Sequence, residues 1–123
     1  MPSALDNLVV DCADPYELAK FWTQVVDKPI HAENEPGDDE VAIELDSGLT
    51  LLFIEVPEAK TVKNRLHLCL RPDVPRDTEV ERLLSLGATL VDDRRNPDGS
   101  GWAVLADPEG NEFCVLRSTA ERP

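Results

Sequence analysis

One order of elements, strand, helix and then three strands, is expected twice within 123 residues, and no other feature restricts the fold as much. Residues 5–12 (LDNLVVDC) are aliphatic and β-branched and stop at Ala13-Asp14-Pro15, the mark of a strand that runs into a helix start. Asp14 can cap, Pro15 suits the first helical position, and Glu17 stands three residues after Asp14 in the manner of a capping box. Leu18, Phe21, Trp22, Val25 and Val26 then follow the i, i+3, i+4, i+7, i+8 spacing of a helix packed on a sheet, which assigns both aromatics to a core. Residues 31–40 (HAENEPGDDE) are acidic and aperiodic and read as a solvated loop. Strands over 41–45 and 49–56 flank the turn Asp46-Ser47-Gly48.

Residues 57–64 break the pattern and read as a linker, after which the order returns. A strand is expected over 65–71 (RLHLCLR), a turn over 72–75, and a helix over 77–86, with Val80, Leu83 and Leu84 on one face and Gly87 as its stop. Strands over 88–91, 102–106 and 112–116 complete the second half, divided by the turn segments 96–101 and 107–111. A βαβββ unit of about 55–60 residues leaves a sheet face uncovered. The expected fold class is therefore α+β: two paired βαβββ modules, one over about 1–58 and one over about 63–118, in a single domain. Their strands would form a curved mixed sheet, a cup, with the helices outside and the binding site in the concavity.

Charge narrows the partners. Twelve Lys and Arg against 25 Asp and Glu leave −13, which repels nucleic acid and anionic lipid and favours a cationic or aromatic small molecule, although solubility alone also accounts for excess acid. The apolar runs fall far short of the roughly 20 residues of a membrane span, and residues 1–6 lack the order of a signal peptide. A cytoplasmic protein without a membrane partner is the expectation. Cys12, Cys69 and Cys114 are odd in number and widely spaced, the pattern of reduced, mostly buried thiols rather than of a disulfide framework.

The strings VVDCADPYELAKFWTQVVDKP, LTLLFIEVPEAKTVKNRLHLCL, LLSLGATLVDD and WAVLADPEGNEFCVLRS resemble the glyoxalase/bleomycin resistance/dioxygenase superfamily, the vicinal oxygen chelate proteins, and within it the glyoxalase-like domain group common in actinobacteria. The resemblance implies a homodimer, and either no cofactor or a divalent metal held by one ligand on the first and one on the last strand of each module. Transferred to this chain, those four positions are Asn7, Leu52, His67 and Cys114, with Cys114 where metal enzymes of the family usually carry Glu. Hard metals want carboxylates and imidazoles, and this set has one imidazole and no carboxylate.

Residues two apart in a strand share a face, which groups Asn7, Val9 and Asp11, then His67, Cys69 and Arg71, then Leu52 and Ile54, then Cys114 and Leu116. The candidate ligand-binding residues are Asn7, Asp11, Leu52, Phe53, Ile54, His67, Cys69, Trp102 and Cys114. The candidate metal ligands are His67, Glu112 and Cys114, and His67 is the candidate general base. Each has a plain alternative: a hydrogen-bonded wall histidine, small buried thiols, packing aromatics, an Asp11 that supports the helix start, or a Glu112 that faces solvent. Asp107, Gly110 and Asn111 read as turn chemistry. Two functions remain. One is a metal-free small-molecule-binding protein like the drug-sequestering bleomycin resistance branch; the other is a metal-dependent lyase, isomerase or dioxygenase.

Overall fold

Asp14 accepts a hydrogen bond from the Glu17 N–H at 3.3 Å, Pro15 opens the helix, and α1 (Pro15–Val26) runs until Asp27 turns left-handed at φ 55°. Its apolar stripe is buried through Leu18, Phe21 and Trp22, the two rings meeting edge to face with centroids 5.5 Å apart. The computed structural model describes residues 2–122 and divides into two compact units, one ending at Lys60 and the other beginning at Thr61.

In the first unit α1 lies against a three-stranded sheet of β1 (Asn7–Cys12), β2 (Glu40–Glu44) and β3 (Thr50–Glu55), in the order β1-β3-β2. β1 runs parallel to β3 and β2 antiparallel to it. Val41, Ile43, Leu51 and Phe53 are buried together with the helix stripe. Burial of side chains of this size contributes about 1.5–3 kcal/mol each, so this alternation settles the register.

The third strand expected after α1 is absent among the described residues of this unit. The acidic segment ahead of β2 forms turns, and side-chain chemistry takes over the strand's place along the outer edge of β2. The His31 N–H donates to the Ala42 carbonyl at 2.9 Å, and the Ala42 N–H donates to Asn34 Oδ1 at 3.0 Å. Asn34 also donates through Nδ2 to the Glu40 carbonyl at 3.3 Å. Asn34 and the His31 backbone together thus satisfy edge groups of β2 that a neighbouring strand would otherwise take.

The second unit has the full order: β4 (Leu68–Leu70), α2 (Arg76–Ser85), β5 (Thr89–Arg95), β6 (Gly101–Ala106) and β7 (Glu112–Val115), followed by a short 3₁₀ turn (Thr119–Glu121). The strand order is β4-β7-β6-β5, with β4 parallel to β7 and the other pairs antiparallel. Val80 and Leu83 of α2, Ala103 and Leu105 of β6, and Phe113 and Val115 of β7 are all buried. β4 is shorter than residues 65–71, because 65–66 form a bend while Lys63 and Asn64 are held elsewhere. β5 is longer than 88–91: an edge strand tolerates its Asp-Asp-Arg-Arg end, and the pairing shifts between Leu90 and Asp92.

The start of α2 has no side-chain cap of its own, since Pro75 stands at that position. Glu121 supplies one from the end of the chain, accepting from the Arg76 N–H at 2.7 Å and the Ser118 N–H at 2.8 Å. The Arg76 side chain is buried, and its Nη1 donates to the carbonyls of Gly99, Ser100 and Gly101 at 3.1, 3.2 and 3.1 Å. A cationic side chain thereby fastens the β5–β6 loop to the helix start. Gly101 sits at φ 92°, where a Cβ would collide with the Arg94 carbonyl, so glycine is required there.

Candidate functional site

Each sheet has one face under its helix and a far face that carries the polar and half-buried residues. Register places Asn7, Val9 and Asp11 on the far face of the first unit, beside Thr50, Leu52 and Ile54 and then Glu44, Ala42 and Glu40. Asn7, Leu52, Asp11 and Ile54 therefore share a face, as strand parity predicts. Phe53 does not. It is 0% exposed on the helix side, so its reading as a ligand contact is corrected to core: it follows Leu52 in the strand and must point the other way.

The far face of the second unit carries two rows across its strands. Asp92, Val104, Cys114 and Cys69 lie in one row; Arg94, Trp102, Leu116 and Arg71 form the next. Leu116 continues β7 by donating its N–H to the Leu70 carbonyl at 2.9 Å. Trp102 is 43% exposed, unlike Trp22, which is core. Around it opens a shallow recess of about 200 Å³, lined by Arg71, Gly101, Trp102, Leu116, Arg117 and Arg122. Arg71 is braced by a 2.9 Å hydrogen bond from Nη1 to the Arg117 carbonyl.

Among the described residues the lining has three arginines and no acidic side chain, in contrast to the chain's −13, with Asp98 close enough to Arg117 to interact with its charge. A bound group feels the charges within a few ångströms far more than the screened total from which a cationic ligand is expected. Arg117 and Arg122 were invisible to periodicity, as they follow the last strand. Arg71 was within reach, two residues beyond Cys69 on the same face.

A second cluster lies at the other row. His67, Cys69 and Cys114 bring one donor atom each to within 4.8 Å of one another. Cys69 and Cys114 are direct partners in the parallel β4–β7 ladder, and His67 immediately precedes β4. His67 and Cys69 are exposed and Cys114 is buried. Burial foremost, then the charge of Cys69 and a hydrogen bond with it, pushes the Cys114 thiol up to about 11, so it is protonated at neutral pH.

Glu112 is outside this cluster, which corrects its reading as a metal ligand. Its carboxylate accepts from Lys63 Nζ at 3.0 Å and from the Asn64 N–H at 3.2 Å, and its own N–H donates to Asn64 Oδ1 at 3.1 Å. The side chain is thereby committed to holding the segment that leads into β4. Asp107, Gly110 and Asn111 form the expected turn: Asp107 Oδ1 accepts the N–H groups of Glu109 and Asn111 at 3.0 and 2.9 Å.

Sequence comparison finds the glyoxalase-like domain family across residues 7–116. This chain is a glyoxalase-like domain protein. No curated protein matches it in sequence. Among solved structures, the oxidase ChaP-H2 is 21% identical with a TM-score of 0.66, covering 100% of this chain and 96% of its own. A glyoxalase/bleomycin resistance protein/dioxygenase family enzyme from Burkholderia phytofirmans is 18% identical with a TM-score of 0.70, over 92% of this chain and 97% of its own. The fosfomycin resistance protein FosX from Listeria monocytogenes, in a mutant form complexed with Mn(II) and 1S,2S-dihydroxypropylphosphonic acid, is 18% identical with a TM-score of 0.71, over 98% and 94%. At these identities the likeness establishes the α+β fold of the superfamily. The described residues include no helix long and apolar enough to cross a membrane.

The metal of such superfamily members finds a poor donor set at the corresponding positions of this glyoxalase-like chain. Leu52 has no donor atom, Asn7 donates to Asp6 at 3.0 Å, and Cys114 replaces a carboxylate by a thiol. Mn(II) and Fe(II) prefer oxygen and imidazole ligands, and one histidine does not hold them.

Proposed function

We propose that this glyoxalase-like protein binds a planar, anionic small molecule, such as an aromatic carboxylate or phosphonate, and sequesters it without chemistry. The observation that carries the reading is the recess on the second unit, which the half-exposed Trp102 lines together with Arg71, Arg117 and Arg122. Arginine forks match carboxylate and phosphonate oxygens two at a time, while Trp102 offers a stacking surface. The reading includes a homodimer, as is frequent in the family, and sedimentation at micromolar concentration measures that state.

Fluorescence gives the direct test, since Trp102 is exposed and Trp22 buried. Titration with aromatic carboxylates and phosphonates should quench one tryptophan, and matched aromatic amines should not. Trp102→Ala should weaken binding by up to about tenfold, the worth of one stacked pair. Arg122→Ala should weaken it further without unfolding. Binding of the amines alone, or affinity untouched by Trp102→Ala, would refute the proposal.

A further inference from the structure

We propose that His67, Cys69 and Cys114 form a thiophilic metal site that takes Zn(II) through three protein ligands and leaves a fourth position open. The inference stands apart from the recess. It depends on Cys69, which lies at none of the four positions where the superfamily carries its ligands.

The donors come from adjacent strands, with Cys69 opposite Cys114 and His67 two residues ahead of Cys69. A tetrahedral zinc ion with Zn–S near 2.3 Å and Zn–N near 2.0 Å needs donors about 3.6–3.8 Å apart. The three atoms already lie within 4.8 Å. Closing the last ångström requires only side-chain rotations of the exposed His67 and Cys69, while Cys114 stays fixed in the buried ladder. Zinc binding displaces the thiol protons of Cys69 and Cys114 to solvent, after which two thiolates balance the divalent charge, and two sulfurs with one imidazole select zinc over oxygen-loving ions. Three protein ligands and one exchangeable position are the arrangement of zinc sites that bind or polarise a small molecule.

The test uses the whole chain, reduced with a thiol-free phosphine, and titrates Zn(II), Co(II) and Mn(II) separately. One Zn(II) per chain is expected, together with a thiolate-to-cobalt charge-transfer band and no uptake of Mn(II). Cys69→Ser and His67→Ala, both at exposed positions, should each weaken Zn(II) at least tenfold, and His31→Ala should leave it unchanged. Absence of the cobalt band, uptake of Mn(II) in preference to Zn(II), or Zn(II) binding unaffected by Cys69→Ser would overturn the proposal. Circular dichroism of each variant separates lost ligation from lost folding. Failure here leaves the anion test at Trp102 untouched, because the two use different side chains.

Discussion

At the residue scale, neighbours in one strand take opposite fates. Leu52 and Phe53 are adjacent in β3, yet Leu52 is half-buried on the far face and Phe53 is enclosed under α1. Phe53→Ala should therefore cost about 3–5 kcal/mol, read as a lowered urea midpoint, because a cavity opens among Val41, Ile43 and Leu51. Leu52→Ala should cost much less. Equal midpoint shifts for the two variants would contradict the placement. Which residues share a face with Asn7, Leu52, Cys69 and Cys114 within each strand was legible from parity, which needs only a period of two, whereas the family resemblance supplied the expectation that Asn7, Leu52 and Cys114 face the same way. The sense of Phe53 was also legible, since it follows Leu52 in the strand and parity turns it to the opposite face.

At the element scale, helix ends explain how the second unit is held. α2 borrows its cap from Glu121, whose carboxyl lies below the ordinary glutamate range because it accepts first from the Ser118 backbone and then from that of Arg76. A carboxyl depressed in the folded state stabilises above its unfolded pKa and loses that contribution as pH falls through the folded value. Glu121→Gln should accordingly be less stable than the parent at neutral pH. The gap should close as pH falls below the ordinary glutamate range and through the lowered folded value, where the parent carboxyl protonates. Thermal midpoints across pH 2–7 measure this, and a gap independent of pH would assign the cap to the neutral amide geometry instead. No local motif announces a cap that comes 45 residues downstream, so this contact belongs to tertiary structure. The missing strand of the first unit is a comparable case. Composition marked residues 31–40 as a loop, but only the folded edge of β2 shows Asn34 standing in for a strand.

At the scale of the whole molecule, the charge of −13 and the basic recess act on a ligand in opposite directions. An approaching anion meets the net field first, at distances where salt screens it within about 8–10 Å, and meets the three arginines only on contact. Raising salt should therefore raise the association rate of an aromatic carboxylate and raise its dissociation rate as well. Stopped-flow fluorescence between low and moderate ionic strength separates the two. A falling association rate would show that the arginines dominate even at long range. Acid acts on this scale too. Asp77, Asp93, Asp98 and Glu121 are all held below their usual ranges in the second unit, Asp93 down to about 2 through its bonds with Arg95. Stability from these groups is present above the ordinary carboxyl range and fades as pH falls toward those lowered values.

The amino-acid order by itself determined the α+β class, the position of nearly every element and the face on which most candidate residues lie, because periodicity and turn chemistry are local. The family resemblance was likewise carried by contiguous strings such as DPEGNEFCVL. Tertiary structure alone decided which side chains meet: Glu112 with Lys63 and Asn64, Arg76 with three carbonyls beyond β5, Cys69 with Cys114, and Trp102 with three arginines that line the same recess. Those meetings join segments some 15–50 residues apart, and a hydropathy pattern carries no information about which distant partner a strand selects.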